Sequence, residues 1–156
     1  MRAKFEAAIQ DFGKRLGVGG LKLDENGSIA MQLDETEILM GYVDAAESVQ
    51  FYTILGGMPE EPSPQFLQVL LAANNLGVAT NGAAIGYDAD DDTVTLNLRV
   101  PVDVIDGTTL ERTVENFVNL AEFWKANFAD LERAERNIDT ATSSGPPPSA
   151  GSWLRA

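Results

Sequence analysis

The sequence predicts an α+β domain with the element order α-β-β-β-α-β-β-α, in which helices pack on one antiparallel five-stranded sheet. The predicted strands follow one another along the chain, with connections too short for the crossovers that parallel strands need. Apolar residues recur at helical spacing in three other segments. The length of 156 residues is typical of a single domain.

The first predicted element is an amphipathic helix from Arg2 to Leu16. Its apolar residues are spaced by four, three and four positions, which places them on one stripe of a helix: Phe5, Ile9, Phe12 and Leu16. The helix is expected to end at Gly17–Gly20, because glycine readily adopts the left-handed conformation that commonly follows a helix.

Three strands are predicted next, at Ser28–Leu33, Glu37–Val43 and Ser48–Leu55, each rich in β-branched, aromatic or long apolar residues. The spacers between them, Asp34–Thr36 and Asp44–Glu47, are short and polar. Such spacers connect antiparallel neighbours, so the three strands are expected to form a meander.

A second helix is predicted from Ser63, as the N-cap, and Pro64, at the first helical position, to about Leu76. It is apolar over much of its circumference: Phe66, Leu67, Val69, Leu70, Leu71, Ala72 and Ala73. One contact with a core does not need so wide an apolar surface, and self-association into a homodimer would cover the rest.

The last two strands are predicted at Gly82–Tyr87 and Thr93–Val100, joined by the acidic turn Asp88–Asp92. A capping-box pattern at Thr108–Glu111 then predicts the start of the longest helix, which is expected to end near Arg136. Its apolar residues alternate between steps of four and three: Leu110, Val114, Phe117, Ala121, Trp124, Phe128 and Leu131.

The domain is therefore expected to cover residues 1–136, and residues 137–156 have the composition of a disordered tail rich in Ser and Pro. Trp153–Arg155 in this tail is a candidate docking motif, because an isolated aromatic residue in such a segment can anchor a contact. A terminus without function is the alternative.

Composition excludes several classes of function. The chain has 11 Lys and Arg against 24 Asp and Glu, a net charge of −13, which repels nucleic acid. It has no Cys and no His, which removes disulfides, thiol- and His-dependent catalysis and most transition-metal sites. No apolar run resembles a signal peptide or a membrane-spanning helix, so a cytoplasmic protein without membrane insertion is expected.

No catalytic, cofactor-binding or metal-binding residues are predicted. Asp88, Asp90 and Asp92 match the first ligands of a calcium loop, but Thr93 stands where that loop needs glycine and Arg99 where it needs glutamate. A pair of carboxylates could still act as acid and base, although a solvated acidic surface explains the acidic residues without catalysis.

The second and third predicted strands carry large apolar residues on both faces of the sheet. Either helices cover both faces, or part of this surface stays open as a groove for an extended apolar peptide. The residues themselves leave both alternatives open.

Several short motifs, in their order and spacing, resemble the class I chaperones of bacterial type III secretion, a Tir-chaperone-like family that binds effectors. The motifs are Leu16–Val18, Leu33–Glu35, Leu70–Asn74, Gly86–Asp88, Leu96–Val102 and Phe117–Trp124. The resemblance runs from about Phe5 to Phe128 and therefore covers most of the chain.

The resemblance implies an ATP-independent, cytoplasmic chaperone without a cofactor, whose homodimer binds the N-terminal segment of a secreted effector in extended form. It implies a dimer interface on the second helix and a neighbouring strand: Phe66, Leu67, Leu70, Leu71 and Ile85. It implies effector binding by the first helix and the first strands: Phe5, Ile9, Phe12, Met31, Leu33, Leu39 and Tyr42. The secretion ATPase is a further candidate partner. A regulatory module of the same fold, which sequesters a small protein that controls secretion genes, is the alternative.

Overall fold

The computed structural model of the chain describes residues 1–142, with side chains as far as Asn137. Its main elements are α1 (Arg2–Arg15), β1 (Ser28–Leu33), β2 (Thr36–Val43), β3 (Ser48–Gly57), α2 (Pro64–Ala73), β4 (Ala84–Asp88), β5 (Thr93–Pro101) and α3 (Gly107–Thr142). Single turns of 3₁₀ helix lie at Asp44–Ala46, Asn75–Gly77 and Val102–Val104. The predicted order of helices and strands is confirmed.

All five strands belong to one antiparallel sheet with the order β1-β2-β3-β5-β4, so the predicted α+β class is also confirmed. β1 and β4 are the edge strands. The pairing of β3 with β5 is irregular between Ile54 and Gly56. A side chain at Gly56 would collide with the ring of Phe128, so the glycine at this irregularity lets α3 approach the backbone of β3.

The core lies between the sheet and the helices. Alternate side chains of the central strands, such as Met40 of β2 and Phe51 of β3, point into it and are fully buried. The rings of Phe51 and Phe117 pack with their centroids 5.8 Å apart, which joins β3 to α3. α1 adds Phe5 and Ile9, also fully buried, against the same face.

The start of α3 differs from the predicted capping box. The backbone amide of Thr109 donates a hydrogen bond of 2.7 Å to Asp106 Oδ1, so Asp106 caps the helix. This hydrogen bond lowers the pKa of Asp106, because it favours the charged carboxylate. Gly107 follows, and a side chain there would collide with the carboxylate of Asp11 on α1.

The ends of two helices also differ from the prediction. α2 ends at Ala73, because the side chain of Asn74 turns to the sheet and makes two hydrogen bonds, 2.7 and 2.8 Å long, with the backbone of Ile85. α3 continues to Thr142, six residues beyond the predicted end at Arg136. The rest of the predicted tail, residues 143–156, lies outside the described residues.

Candidate functional site

The face of the sheet turned away from the helices keeps an exposed apolar centre. The strand register places one row of side chains across this face: Ala30, Leu39, Tyr52, Asn97 and Ala84. Leu39 is 41 % exposed, and Ile54, two residues along β3 from Tyr52, is 45 % exposed. The helices bury their apolar residues against the opposite face. Within the described residues, helices therefore do not cover both faces of the two-faced strands, and part of this surface stays open.

A groove of about 450 Å³ lies on this face, and we call it the sheet-face groove. It is lined by Ala30, Gln32, Glu35, Glu37, Leu39, Tyr52, Thr53, Ile54 and Lys125. Its floor is apolar, and Glu35 and Glu37 give it an acidic rim. Desolvation raises the pKa of Tyr52 in the floor, because burial disfavours the charged phenolate. Lys125 reaches the groove from α3 and donates a hydrogen bond of 3.3 Å to Thr36 Oγ1.

A second groove of about 380 Å³, here called the helix groove, lies on the other side of the sheet between α1, α3 and the end of β1. It is lined by Phe12, Leu16, Leu33, Asp34, Glu111, Val114, Glu115, Val118 and Asn119. Leu16 is its most accessible apolar side chain, at 41 % exposure, whereas Phe12 is 2 % exposed. This groove is also apolar with acidic side chains at its border.

The edge strand β1 separates the two grooves. Successive side chains of a strand point to opposite faces, so Gln32 lines the sheet-face groove and Leu33 lines the helix groove. One side of β1 pairs with β2, and no strand in the described part of the chain pairs with its other side. A peptide that pairs with this free side would send alternate side chains towards the two grooves.

The helix α2 packs on the chain's own core with one stripe and exposes another. Phe66, Leu70 and the nearby strand residue Ile85 are buried, and the rings of Phe66 and Phe128 pack edge to face at 5.7 Å. The opposite stripe is open, with Leu67 38 % and Leu71 71 % exposed. Beyond the helix, Leu76 is 89 % and Val78 is 81 % exposed. We call these four exposed residues the α2 surface.

The N-terminus of α2 is held by the far end of α3. Ser63 caps α2, since its Oγ accepts a hydrogen bond of 3.1 Å from the amide of Phe66. Glu135 of α3 is 7 % exposed and accepts hydrogen bonds from the amide of Ser63 and, at 2.9 Å, from Ser63 Oγ. The extension of α3 beyond the sheet therefore fixes the position of α2.

Residues 7–125 match the model of the Tir chaperone protein (CesT) family. The match covers about three quarters of the chain and includes α2 and the strands that line the two grooves. The chain belongs to the Tir chaperone protein (CesT) family.

Relatives in sequence and solved structures of similar fold show the extent of the similarity. The chain is 28 % identical over 123 residues to the Tir chaperone of Escherichia coli O157:H7 and 25 % identical over 122 residues to that of Citrobacter freundii, covering 78 % of both chains in each case. Among solved structures, a chain of the HopA1-SchA chaperone-effector complex superposes with a TM-score of 0.68 at 20 % identity, covering 80 % of this chain and 95 % of that one. A chain of the ExsC-ExsE complex gives 0.69 at 20 % identity, covering 81 % and 94 %. These structures share the fold.

The structure separates the seven residues for which the CesT family resemblance implied effector binding. Phe5 and Ile9 are fully buried in the core, because the apolar stripe of α1 faces the chain's own sheet. Phe12 is almost completely buried and forms the floor of the helix groove. Met31, Leu33 and Tyr42 are half-buried on the helix side, and only Leu33 of these lines a groove that the structure shows. Leu39 alone lies in the sheet-face groove.

Several apolar residues at the surfaces of this CesT family member were not among the predicted site residues. Tyr52 and Ile54 complete the sheet-face groove, Leu16 opens the helix groove, and Leu76 and Val78 extend the α2 surface. The two-faced pattern of the third strand was the signal for Tyr52 and Ile54. Leu76 and Val78 lie in a short irregular segment without periodicity, so no pattern marks them.

The described residues show neither a metal-binding cluster nor a membrane-spanning helix. No group of three or more acidic side chains there is arranged to hold a metal ion. None of the helices described is both long and apolar enough to cross a membrane.

Proposed function

We propose that this protein is an ATP-independent chaperone of type III secretion that binds the N-terminal segment of an effector in extended form and keeps it soluble and secretion-competent. It acts in the bacterial cytoplasm, as a homodimer and without catalysis. Membership of the Tir chaperone family supports this proposal. The observation that carries it in this chain is the free edge of β1 between two open apolar grooves.

An edge strand and two grooves suit an extended ligand, because the strand binds the backbone of the ligand and the grooves bind its side chains. Hydrogen bonds between a peptide and the free side of β1 require no particular sequence. Alternate side chains of the peptide then enter the sheet-face groove and the helix groove, and burial of their apolar surface offsets the entropy lost when a disordered segment becomes ordered. Because both grooves are apolar, selectivity is for a segment with apolar residues in both of its alternating sets of positions.

Charge adds a second preference. Glu35 and Glu37 border one groove and Asp34, Glu111 and Glu115 the other, in a chain with a net charge of −13. Such a field attracts basic segments and raises their rate of association, with a strong dependence on salt. The same charge keeps a protein with open apolar grooves from self-aggregation.

The α2 surface is the interface that we propose for the homodimer. Leu67 and Leu71 project from it, whereas Phe66, Leu70 and Ile85 support the helix from behind. The five residues first assigned to the interface thus divide into two that would contact the partner and three that hold α2 in place. A contact with the secretion ATPase stays a prediction, to which none of the surfaces in the described part of the chain is assigned.

The test is a pull-down from the native bacterium with the tagged full chain, followed by limited proteolysis of the captured protein. We expect a secreted protein that is protected only over an N-terminal segment. Leu16→Asp in the helix groove and Leu39→Asp in the sheet-face groove should each lower its recovery at least about tenfold, since each places a charge in an apolar contact. Val104→Asp is the control, because Val104 is 54 % exposed and lines neither groove.

The outcomes separate the alternatives. Equal recovery by the groove variants and the control would show that the grooves do not bind the effector. Capture of a small regulatory protein, in place of a secreted one, would favour the regulatory module of the same fold.

A further inference from the structure

The sheet-face groove has the chemistry to bind a short apolar segment with one positive charge. Its floor is formed by Leu39, Tyr52 and Ile54, and its charged border by Glu35, Glu37 and Lys125, two acidic residues against one basic residue. No large apolar side chain from residues 1–137 covers the floor, since Leu39 and Ile54 are more than 40 % exposed. An apolar surface of this kind, rimmed by polar residues, is typical of a binding site.

We propose that the chain's own segment Trp153–Arg155 docks in the sheet-face groove. Within residues 143–156, which lie outside the described part, Trp153 and Leu154 are the large apolar residues and Arg155 is the sole charged residue. Trp153 and Leu154 bury apolar surface on the floor, and Arg155 pairs with the acidic rim. The segment thus matches the groove in both polarity and charge.

The length of the chain permits this contact. Lys125 lines the groove, and α3 continues for seventeen residues from there to Thr142, a length of about 25 Å at the rise of an α-helix. Trp153 follows Thr142 by eleven residues, which span up to about 36 Å when extended. The segment can therefore return to the groove with several ångströms to spare.

The helix groove is a less suitable site for the same segment. Asn119 is its lining residue nearest to the end of α3, and it lies twenty-three residues, or about 35 Å, before Thr142. The eleven residues up to Trp153 would have to be almost fully extended to reach it. The span of the eleven residues up to Trp153 therefore favours the sheet-face groove over the helix groove.

Docking of the segment would cover the exposed floor of the groove while no effector is bound. This contact is intramolecular and does not rest on the proposed function. Where the proposed function holds, an effector segment has to displace Trp153. Docking of Trp153–Arg155 therefore raises the affinity that an effector needs.

The test is acrylamide quenching of tryptophan fluorescence in the full chain without effector. Trp124 is 7 % exposed and its indole N–H donates to Ala79 O at 3.2 Å, so its signal can be removed by subtracting the spectrum of a Trp153→Ala variant. We expect the Trp153 signal to be quenched severalfold less than that of a free peptide of residues 143–156. This protection would show that Trp153 is docked.

Two groove variants locate the contact. Leu39→Asp removes part of the floor, and Glu37→Lys reverses the rim charge at an exposed position that the fold does not need. Each should shift the ratio of docked to undocked Trp153 by about tenfold, which corresponds to about 1.4 kcal/mol. Val104→Asp should leave quenching unchanged, and circular dichroism checks that each variant is folded.

Two results would overturn the proposal. One is quenching of Trp153 in the unmodified chain that equals quenching of the free peptide. The other is protection that persists in both groove variants, including protection that is lost instead in Leu71→Asp, because the segment would then bind at another surface.

Discussion

Replacement of Glu135 by alanine tests whether α3 holds α2 in position. Glu135 is 7 % exposed, and its carboxylate accepts two hydrogen bonds from Ser63, one from the amide and one from the hydroxyl at 2.9 Å. A hydrogen bond to a charged group contributes about 1.5–3 kcal/mol, and loss of the acceptor leaves the Ser63 donors in a partly buried site where water replaces it only in part.

We therefore expect Glu135→Ala to lower the free energy of unfolding by about 2–3 kcal/mol in urea denaturation. For a domain of this size the melting temperature should fall by about 4–10 °C. Glu132→Ala is the matched control, because it removes the same charge from the same helix at a residue that does not contact Ser63. Light scattering on both variants then shows whether misplaced α2 also weakens the dimer.

A double-mutant cycle with Ser63→Ala assigns the effect to this pair. The two changes should together destabilise the protein by less than the sum of the single effects, with a coupling energy of about 1 kcal/mol or more. If Glu135→Ala unfolds within about 0.5 kcal/mol of Glu132→Ala, α2 is held by its apolar contacts alone and the argument is refuted.

Three other predictions follow from the same structure. Leu71→Asp should give a folded monomer by light scattering, whereas Leu70→Asp should unfold the chain because it buries an unpaired charge; a stable Leu71→Asp dimer would exclude the α2 surface as the interface. Asp106→Asn should lower the melting temperature at neutral pH. The lowered pKa of Asp106 stabilises the fold above the pKa of the unfolded chain, near 3.8, and this contribution is lost as the pH falls through the folded pKa, so the melting curves of variant and parent should converge in acid. Gly56→Ala should destabilise the fold by about 1–3 kcal/mol, measured in urea, because the added methyl group meets the ring of Phe128.

The strands could be predicted from sequence because their pattern repeats over two residues and their connections are short. Ile29, Met31 and Leu33 alternate with smaller or polar residues, and this alternation fixes which face meets the helices. The start of α3 could not be assigned in the same way. Asp106 and the threonines after it are all good capping residues. In the structure Asp106 is the cap, and Gly107 next to it packs against Asp11, which lies 96 positions away in sequence.

The site was harder to predict than the fold, because an apolar stripe does not reveal what covers it. Phe5 and Ile9 have the spacing of a helical stripe whether that stripe meets the chain's own sheet or a partner, and the structure places them in the core. Leu71 and Leu70 are adjacent and chemically identical, yet one is 71 % exposed and the other 7 %. Only the position of α2 relative to α3 and β4 distinguishes them.

α3 links the two surfaces that the proposed function needs. Its middle carries Lys125 at the sheet-face groove, and its later turns carry Phe128 and Glu135, which position α2. Leu71 contributes to none of these contacts within the chain, so a monomer made by Leu71→Asp keeps both grooves. Such a monomer should still protect an effector segment that spans one protomer's grooves. A segment that requires both protomers would lose much of its affinity, because its second half would have no linked site to bind. Proteolysis of an effector bound to Leu71→Asp therefore measures how much of the effector one protomer can hold.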